Sequence, residues 1–306
     1  MTITENDRRP LVRSLLFVPG DDERKLAKGL TSAADALILD LEDSVAPVRK
    51  PVARELCSAA LRTRAGSQKL FVRINALNTD DALFDLAAIV AARPDGVVLP
   101  KCRGKQDVDL LSHYLLALEV SAGVGRGDIS VIAIATESGA AMFGLGSYAQ
   151  ASPRLFGLLW GGEDLATDLG ALTNREEDGR YAAPYQLARS LCLYAAADAS
   201  VPAIDAVFTH FRDTAGLRAE ATNALRAGFS AKAAIHPDQV PVINEVFSPS
   251  SAEIAHARTI VEAFQEHPEK GVLSIDGRMI DRPHYRNALR LLARAGVDPK
   301  APGGPR

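Results

Sequence analysis

Ala36-Leu37-Ile38-Leu39-Asp40-Leu41-Glu42-Asp43 is a short apolar run that ends abruptly in acids. Continuous hydrophobicity over so few residues suits a parallel strand covered on both faces, with the acids marking where it leaves the core. Seven other runs share that character: Ser14–Pro19, Lys69–Asn75, Gly96–Lys101, Ser130–Thr136, Leu155–Trp160, Ala203–Phe208 and Ala233–His236. The segments between them read as helices, among them Pro51–Arg62, Asp80–Ala92 and Ala183–Ala197. Eight strand–helix alternations predict an α/β fold, a (β/α)₈ TIM barrel over residues 9–240. A doubly wound open sheet competes with it, but no GxGxxG follows the first strand and Gly144-Leu145-Gly146 stands alone.

Residues 241–306 form a C-terminal helical extension, with helices at Ser251–Glu266 and His284–Ala295 joined by a loop over Lys270–Asp281. The barrel is complete before it, so it is expected to pack outside or on a neighbouring subunit. Met1–Arg8 and Lys300–Arg306 read as frayed ends.

The 306 residues are 47% hydrophobic and 24% charged, which rules out wholesale disorder. Lys+Arg 35 against Asp+Glu 38 leaves a net charge of −3, which argues against nucleic acid or an anionic membrane as partner. No stretch approaches the roughly 18 apolar residues of a membrane span. Cys57, Cys102 and Cys192 share no CxxC spacing, so a reducing cytoplasm is expected in place of a disulfide framework or thiolate zinc site.

In a (β/α)₈ barrel, chemistry sits at the C-terminal ends of the strands. Those positions hold Asp40, Glu42, Asp43, Arg73, Asn75, Lys101, Glu137, Glu163, Asp164, Asp205 and His236. Carboxylates dominate and no HxxxH or Cys/His cluster occurs, which points to Mg²⁺ or Mn²⁺ and away from zinc. Glu137 and Asp164, ending strands five and six, are placed to hold such an ion. Asp40 and Glu42 share a strand face, where paired like charges raise a pKa or demand a cation. Asp43 or Ser44 caps the following helix in the alternative reading. Arg73 offers a fork for a substrate carboxylate or a bridge to a rim acid, and Lys101 poses the same choice. His236 either braces the mouth or takes part in catalysis. Cys102 lacks a base partner and is not expected to be a nucleophile.

An ordered set of motifs runs through these positions. It comprises Arg13-Ser14-Leu15-Leu16-Phe17-Val18-Pro19-Gly20, Leu39-Asp40-Leu41-Glu42-Asp43-Ser44-Val45, Val72-Arg73-Ile74-Asn75 and Leu99-Pro100-Lys101. Thr136-Glu137-Ser138-Gly139, Gly162-Glu163-Asp164-Leu165, Ile235-His236-Pro237-Asp238-Gln239 and Gly277-Arg278-Met279-Ile280-Asp281 follow. The set resembles the citrate lyase β-subunit-like (CitE-like) family of CoA-ester lyases, which includes malyl-CoA and citramalyl-CoA lyases. The resemblance implies metal ligands at Glu137 and Asp164 and a carboxylate-binding arginine at Arg73. It also implies a catalytic Asp281 donated across a subunit interface, and Glu42 and Asp43 holding metal-bound waters. Gly162 and Glu163 fall among the substrate contacts, and Arg13 and Lys25 near the CoA phosphates. Trimers or hexamers are implied as well. Departures at Cys102-Arg103-Gly104 and Ala231-Lys232 bear on the identity of the substrate.

The expected activity is Mg²⁺-dependent retro-Claisen cleavage of a 3-hydroxy acyl-CoA (malyl-, β-methylmalyl-, citramalyl- or citryl-CoA) to acetyl- or propionyl-CoA and a 2-oxo acid. Thioester hydrolysis at the same site, a CoA-independent pyruvate aldolase and a non-catalytic CoA-ester-binding subunit are the competing readings.

Overall fold

A computed structural model describes residues 12–298. The boundary at residue 9 and both frayed-end segments lie outside the described residues. Eight parallel strands close into a barrel in sequence order: β1 (Ser14–Pro19), β2 (Ala36–Asp40), β3 (Lys69–Arg73), β4 (Gly96–Leu99), β5 (Ser130–Ile134), β6 (Leu155–Leu159), β7 (Ala203–Asp205) and β8 (Ala231–Ala234). β8 pairs back onto β1, so the sheet has no free edge. The intervening helices are α1 (Glu23–Leu30), α2 (Lys50–Thr63), α3 (Asp80–Ile89), α4 (Lys105–Ala122), α5 (Gly139–Met142), α6 (Glu163–Asp168), α7 (Ala183–Asp198), α8 (Thr214–Ala227) and α9 (Val240–Phe247).

Most strands end earlier than their apolar runs, because the last residues of each run turn into the βα loops that carry the polar groups. β8 departs the other way and starts at Ala231, two residues before its predicted run. Lys232 hides it: a lysine inside a strand breaks the apolar signal, yet this one is fully buried. Its Nζ donates to Asp205 Oδ2 (2.7 Å), the Ala206 carbonyl (2.7 Å) and Glu220 Oε1 (2.9 Å). Asp205 also accepts from Trp160 Nε1 at 2.7 Å and Arg189 Nε at 2.8 Å. Burial works to lift its carboxyl, but the Lys232 and Arg189 charges outweigh that and hold it down at about 2. Ile204 and Ala231 point into the barrel core, so their neighbours Asp205 and Lys232 face the helical layer. Asp205 is thus a structural counterion and not the rim group expected of it.

Leu15, Ile38, Phe71, Val98, Ile132 and Leu159 fill the barrel interior with Ala36 and Ala233. Phe71 and Gly96 are register partners, and a Cβ on Gly96 would stand 2.6 Å from the Phe71 ring. The large ring therefore requires an absent side chain beside it.

The described residues divide into two compact units, Val12–Glu245 and a second that begins at Val246. Within the second, α10 (Ser251–Glu266) opens on a Ser250/Glu253 capping box. The predicted loop over Lys270–Asp281 is an antiparallel hairpin, β9 (Val272–Ile275) with β10 (Arg278–Asp281). Asp276 (φ 50°) and Gly277 (φ 73°) make its two-residue turn, both in the left-handed region that tight hairpins need. α11 (Arg282–Arg294) follows directly, and Ile260, Val261, Phe264, Ile280, Ala288 and Leu292 form this unit's own core. Among the described residues, no helix is long and apolar enough to cross a membrane.

Replacing Gly96 by Ala should lower the urea midpoint by about 1–3 kcal/mol equivalent, since overpacking outweighs the gain of removing a flexible residue. A companion Phe71→Leu should return part of that loss; an unmoved midpoint in the single variant would refute the packing argument.

Candidate active site

The strand register builds the centre of the mouth. Asp40 and Arg73 are partners at the ends of β2 and β3. Arg73 Nε and Nη2 each donate to one Asp40 oxygen at 2.7 Å, a bidentate pair. The same carboxylate accepts from the backbone N–H groups of Glu42 (3.0 Å) and Ser44 (3.1 Å), so it also shapes the acidic loop. Burial pushes the Asp40 carboxyl up, but Arg73 outweighs it and keeps it below the usual range. Arg73 therefore spends its fork on a rim acid, and only Nη1 points onward, 3.1 Å from Glu42 Oε2. Its guanidinium also lies over the Phe17 ring at 5.0 Å.

Glu42 is buried, and its Oε2 receives no hydrogen bond despite that proximity. Its Oε1 accepts from Lys101 Nζ at 2.5 Å, and Asp43 Oδ1 lies 3.4 Å from the same ammonium. Burial lifts the Glu42 carboxyl to about 7 against the pull of Arg73 and Lys101. Neither Asp43 nor Ser44 caps the following helix, because the turn before α2 has no side-chain cap.

Glu137 is buried as well, and the Lys101 backbone N–H donates to its Oε2. Burial, with the nearby charges of Asp164 and Glu42, drives its carboxyl well above the ordinary range. Thr136 joins the two loops that carry Glu137 and Asp164: its Oγ1 accepts from Gly161 N at 2.8 Å and donates to Gly161 O at 3.2 Å. A Cβ on Gly161 would sit 2.9 Å from Glu137 Cγ, so the close approach of the loops needs glycine there. Asp164 stands half-buried in the first turn of α6.

The structure thus gathers Glu42, Asp43, Glu137, Asp164, Arg73 and Lys101 at one mouth. Other expected groups go elsewhere. Arg13 precedes β1, at the opposite end of the barrel, with Nε and Nη2 on Asp35 at 2.7 Å each. That is a correction to its expected place near the CoA phosphates. Lys25, in the first turn of α1, does lie on the mouth side and is exposed. Glu163 is held by Asn174 Nδ2 at 2.8 Å, while Gly162 precedes α6 as its N-cap. Asn75 donates to Asp85 Oδ2 and the Leu41 carbonyl, a structural duty. His236 caps a turn through Nδ1 and stacks on Phe211 at 4.9 Å. Cys102 accepts from the Tyr148 hydroxyl, and burial lifts its thiol to about 12, which removes it as a nucleophile. Asp281 belongs to the second unit, where it caps α11 and lies 2.5 Å from His284 Nδ1. That hydrogen bond holds its carboxyl below the usual range.

Among the described residues, no three of His, Cys, Asp and Glu stand together at ligand geometry. The donor chemistry nonetheless fits a hard cation. Two carboxylates lifted chiefly by burial, Glu42 further by Asp43 and Glu137 by Asp164 and Glu42, with an orphaned acceptor on Glu42, would be compensated by a divalent ion. Mg²⁺ typically takes one or two carboxylates and leaves its other positions to water and substrate oxygens.

A rim that pairs a cation site with a fixed guanidinium can polarise the hydroxyl and carboxylate of a small acid. That is the business of carbon–carbon bond lyases on a TIM barrel, and a model of that description, C-C bond lyase of the TIM-barrel fold, matches residues 179–298. The chain belongs to the HpcH/HpaI aldolase/citrate lyase family, whose model matches residues 13–237. It is 36% identical to a (3S)-malyl-CoA thioesterase of Cereibacter sphaeroides over 92% of this chain and 94% of that one. It is 35% identical to the citrate lyase subunit beta of Escherichia coli over 92% and 93%. Among solved structures, Mycobacterium tuberculosis CitE in complex with magnesium, acetoacetate and coenzyme A superposes with a TM-score of 0.74 at 34% identity, covering 94% of this chain and 98% of that one.

The raised carboxyls set the pH response of the metal-free protein. Between the ordinary Glu value of 4.5 and about 7, the unfolded chain releases a proton that folded Glu42 retains. The unfolded state then binds fewer protons, so stability should fall as pH rises through that window and level off above it. Urea titrations in EDTA from pH 4.5 to 8 test this, and Glu42→Gln should flatten the slope.

Proposed function

We propose that this protein is a Mg²⁺-dependent CoA-ester lyase that reversibly cleaves a 3-hydroxy acyl-CoA to acetyl- or propionyl-CoA and a 2-oxo acid. The observation that carries the reading is the convergence of Glu137, Asp164 and Glu42 beside an Arg73 held by Asp40. The complexes of the M. tuberculosis relative with magnesium, acetoacetate and coenzyme A support it.

In the cleavage direction the hydroxyl proton leaves and the bond between the carbinol carbon and the carbon next to the thioester breaks. Its electron pair passes into the thioester as an enolate, which then takes a proton on carbon. Glu137 and Asp164 would hold the cation, which when bound would supply Lewis-acid polarisation of the substrate's oxygens. The free edge of Arg73 binds the substrate's carboxylate and offsets charge as the bond breaks. Asp40 fixes Nε and Nη2 of the guanidinium, so its orientation is set before substrate arrives. Glu42 and Asp43 order water beside the site. Asp281, supplied by a neighbouring copy in a trimer or hexamer, moves the proton at the enolate carbon. Lys25 lies on the side from which the CoA phosphates approach. Thioester hydrolysis at the same rim is the second reading, favoured by the (3S)-malyl-CoA thioesterase relative.

Mass spectrometry of products from malyl-, β-methylmalyl-, citramalyl- and citryl-CoA with Mg²⁺ should give acetyl- or propionyl-CoA plus a 2-oxo acid from at least one. Free CoA without a 2-oxo acid would establish the hydrolase instead. Asp281→Asn should cut turnover by roughly 10²–10⁴-fold while calorimetric Mg²⁺ uptake stays unchanged. The Glu137→Ala/Asp164→Ala pair should abolish that uptake; Mg²⁺ bound as tightly as by the parent would refute the site.

A further inference from the structure

Lys101 touches acids of this mouth with both its backbone and its side chain. It follows Pro100 at the end of β4 in a left-handed conformation (φ 51°), a region that residues other than glycine occupy at a cost. Two contacts hold it there. Its N–H is turned onto Glu137, and the next residue, Cys102, is buried with the Tyr148 hydroxyl on its sulfur. The side chain runs the other way, so that Nζ lies 2.5 Å from Glu42 Oε1 and 3.4 Å from Asp43 Oδ1. The Asp164 charge also acts on this ammonium. Arg73 reaches the same acids only through Nη1, 3.1 Å from Glu42 Oε2 and 3.8 Å from Asp43 Oδ2, since its Nε and Nη2 are taken by Asp40.

We infer that Lys101 is a resident counterion of the acid cluster, a positioning residue that keeps Glu42 and Asp43 in place without metal and competes with the divalent cation for their field. The inference rests on the reading of Glu137 and Asp164 as the metal pair. A cation seated between those two carboxylates meets a like charge a few residues away in space, and Coulomb repulsion at short range survives salt screening best where the groups are partly buried. Lys101 thus trades metal affinity for an acidic loop that is already folded when the metal arrives. A plain structural salt bridge would trade nothing: its loss would lower stability and leave the affinity where it was.

Lys101→Met removes the charge while keeping side-chain length and the backbone N–H to Glu137. Magnesium chloride titrated calorimetrically into the full-length protein should bind on the order of tenfold more tightly than to the parent, a shift of about 1.4 kcal/mol. The melting temperature in EDTA should fall, and Lys101→Arg should keep both parental values. Lys101→Gln serves as the second neutral variant if the methionine form does not fold. Unchanged or weaker Mg²⁺ binding in the neutral variants, with parental uptake that still depends on Glu137 and Asp164, would overturn the counterion role alone. Parental uptake that survives Glu137→Ala/Asp164→Ala would overturn the metal site and the inference with it.

Discussion

Asp40 and Arg73 stand side by side across β2 and β3, and everything at the mouth is arranged around their two parallel hydrogen bonds. Both groups are largely removed from water, so either one alone would be strongly destabilising; the cost of burying a charge is offset only when geometry and hydrogen bonding are both satisfied. Here they are. Asp40 fills its remaining lone pairs with the N–H groups of Glu42 and Ser44, which fixes the course of the acidic loop. Arg73, with two donors committed, has Nη1 left to turn toward the acidic loop. Without that pair, the guanidinium would be free to engage Glu42 and Asp43 more fully than through Nη1, which lies 3.1 and 3.8 Å from them.

What could be read from the sequence followed from burial. A strand covered on both faces must be apolar almost throughout, so all eight barrel strands are visible as runs. Only the start of the eighth is masked, by Lys232, a charge that breaks the apolar signal but is compensated by Asp205 and Glu220 in the helical layer. The same layer explains Asp205: a strand-end acid reads identically whether it faces the mouth or the helices, and only the alternation around Ile204 decides. Glu137 and Asp164 were legible as oxygen donors ending adjacent strands. Lys101's left-handed backbone was not, since nothing in Leu99-Pro100-Lys101-Cys102 marks a residue forced into that region by its neighbours. The hairpin before α11 was available in Asp276-Gly277, a turn signal that a helix-oriented reading of the extension passed over.

The second unit has a core of its own, with Phe264 and Leu292 buried in it, so the hairpin and its capping aspartate ride on a packed element and not on a loose tail. Asp281 does local work there. Its carboxylate starts α11 and engages His284, an arrangement that would be sufficient reason for an acid at that position in any helix. The same contacts are compatible with the role proposed for it. A depressed pKa leaves the group ionised at neutral pH, and an ionised carboxylate can accept a proton from carbon but cannot donate one.

That protonation state bears on which of the two reactions the rim suits. Cleavage begins by freeing a proton from the substrate hydroxyl and ends by consuming one at the enolate carbon, so no net proton is exchanged with solvent. In the proposed role, an ionised Asp281 would collect a proton and return it to complete such a cycle, and in the condensation direction it would remove the proton directly. Hydrolysis makes a different demand, since water must be deprotonated next to the thioester carbonyl and the proton passed to a departing thiolate. On the proposed reading, Arg73 and the Glu137–Asp164 pair would meet the substrate's carboxylate and hydroxyl, the end that hydrolysis leaves untouched. Preorganisation of that end lowers the barrier only for a reaction in which charge develops there. Carbon–carbon cleavage, the reaction proposed above, would develop charge there, whereas a hydrolase built on the same rim would use these residues for binding alone.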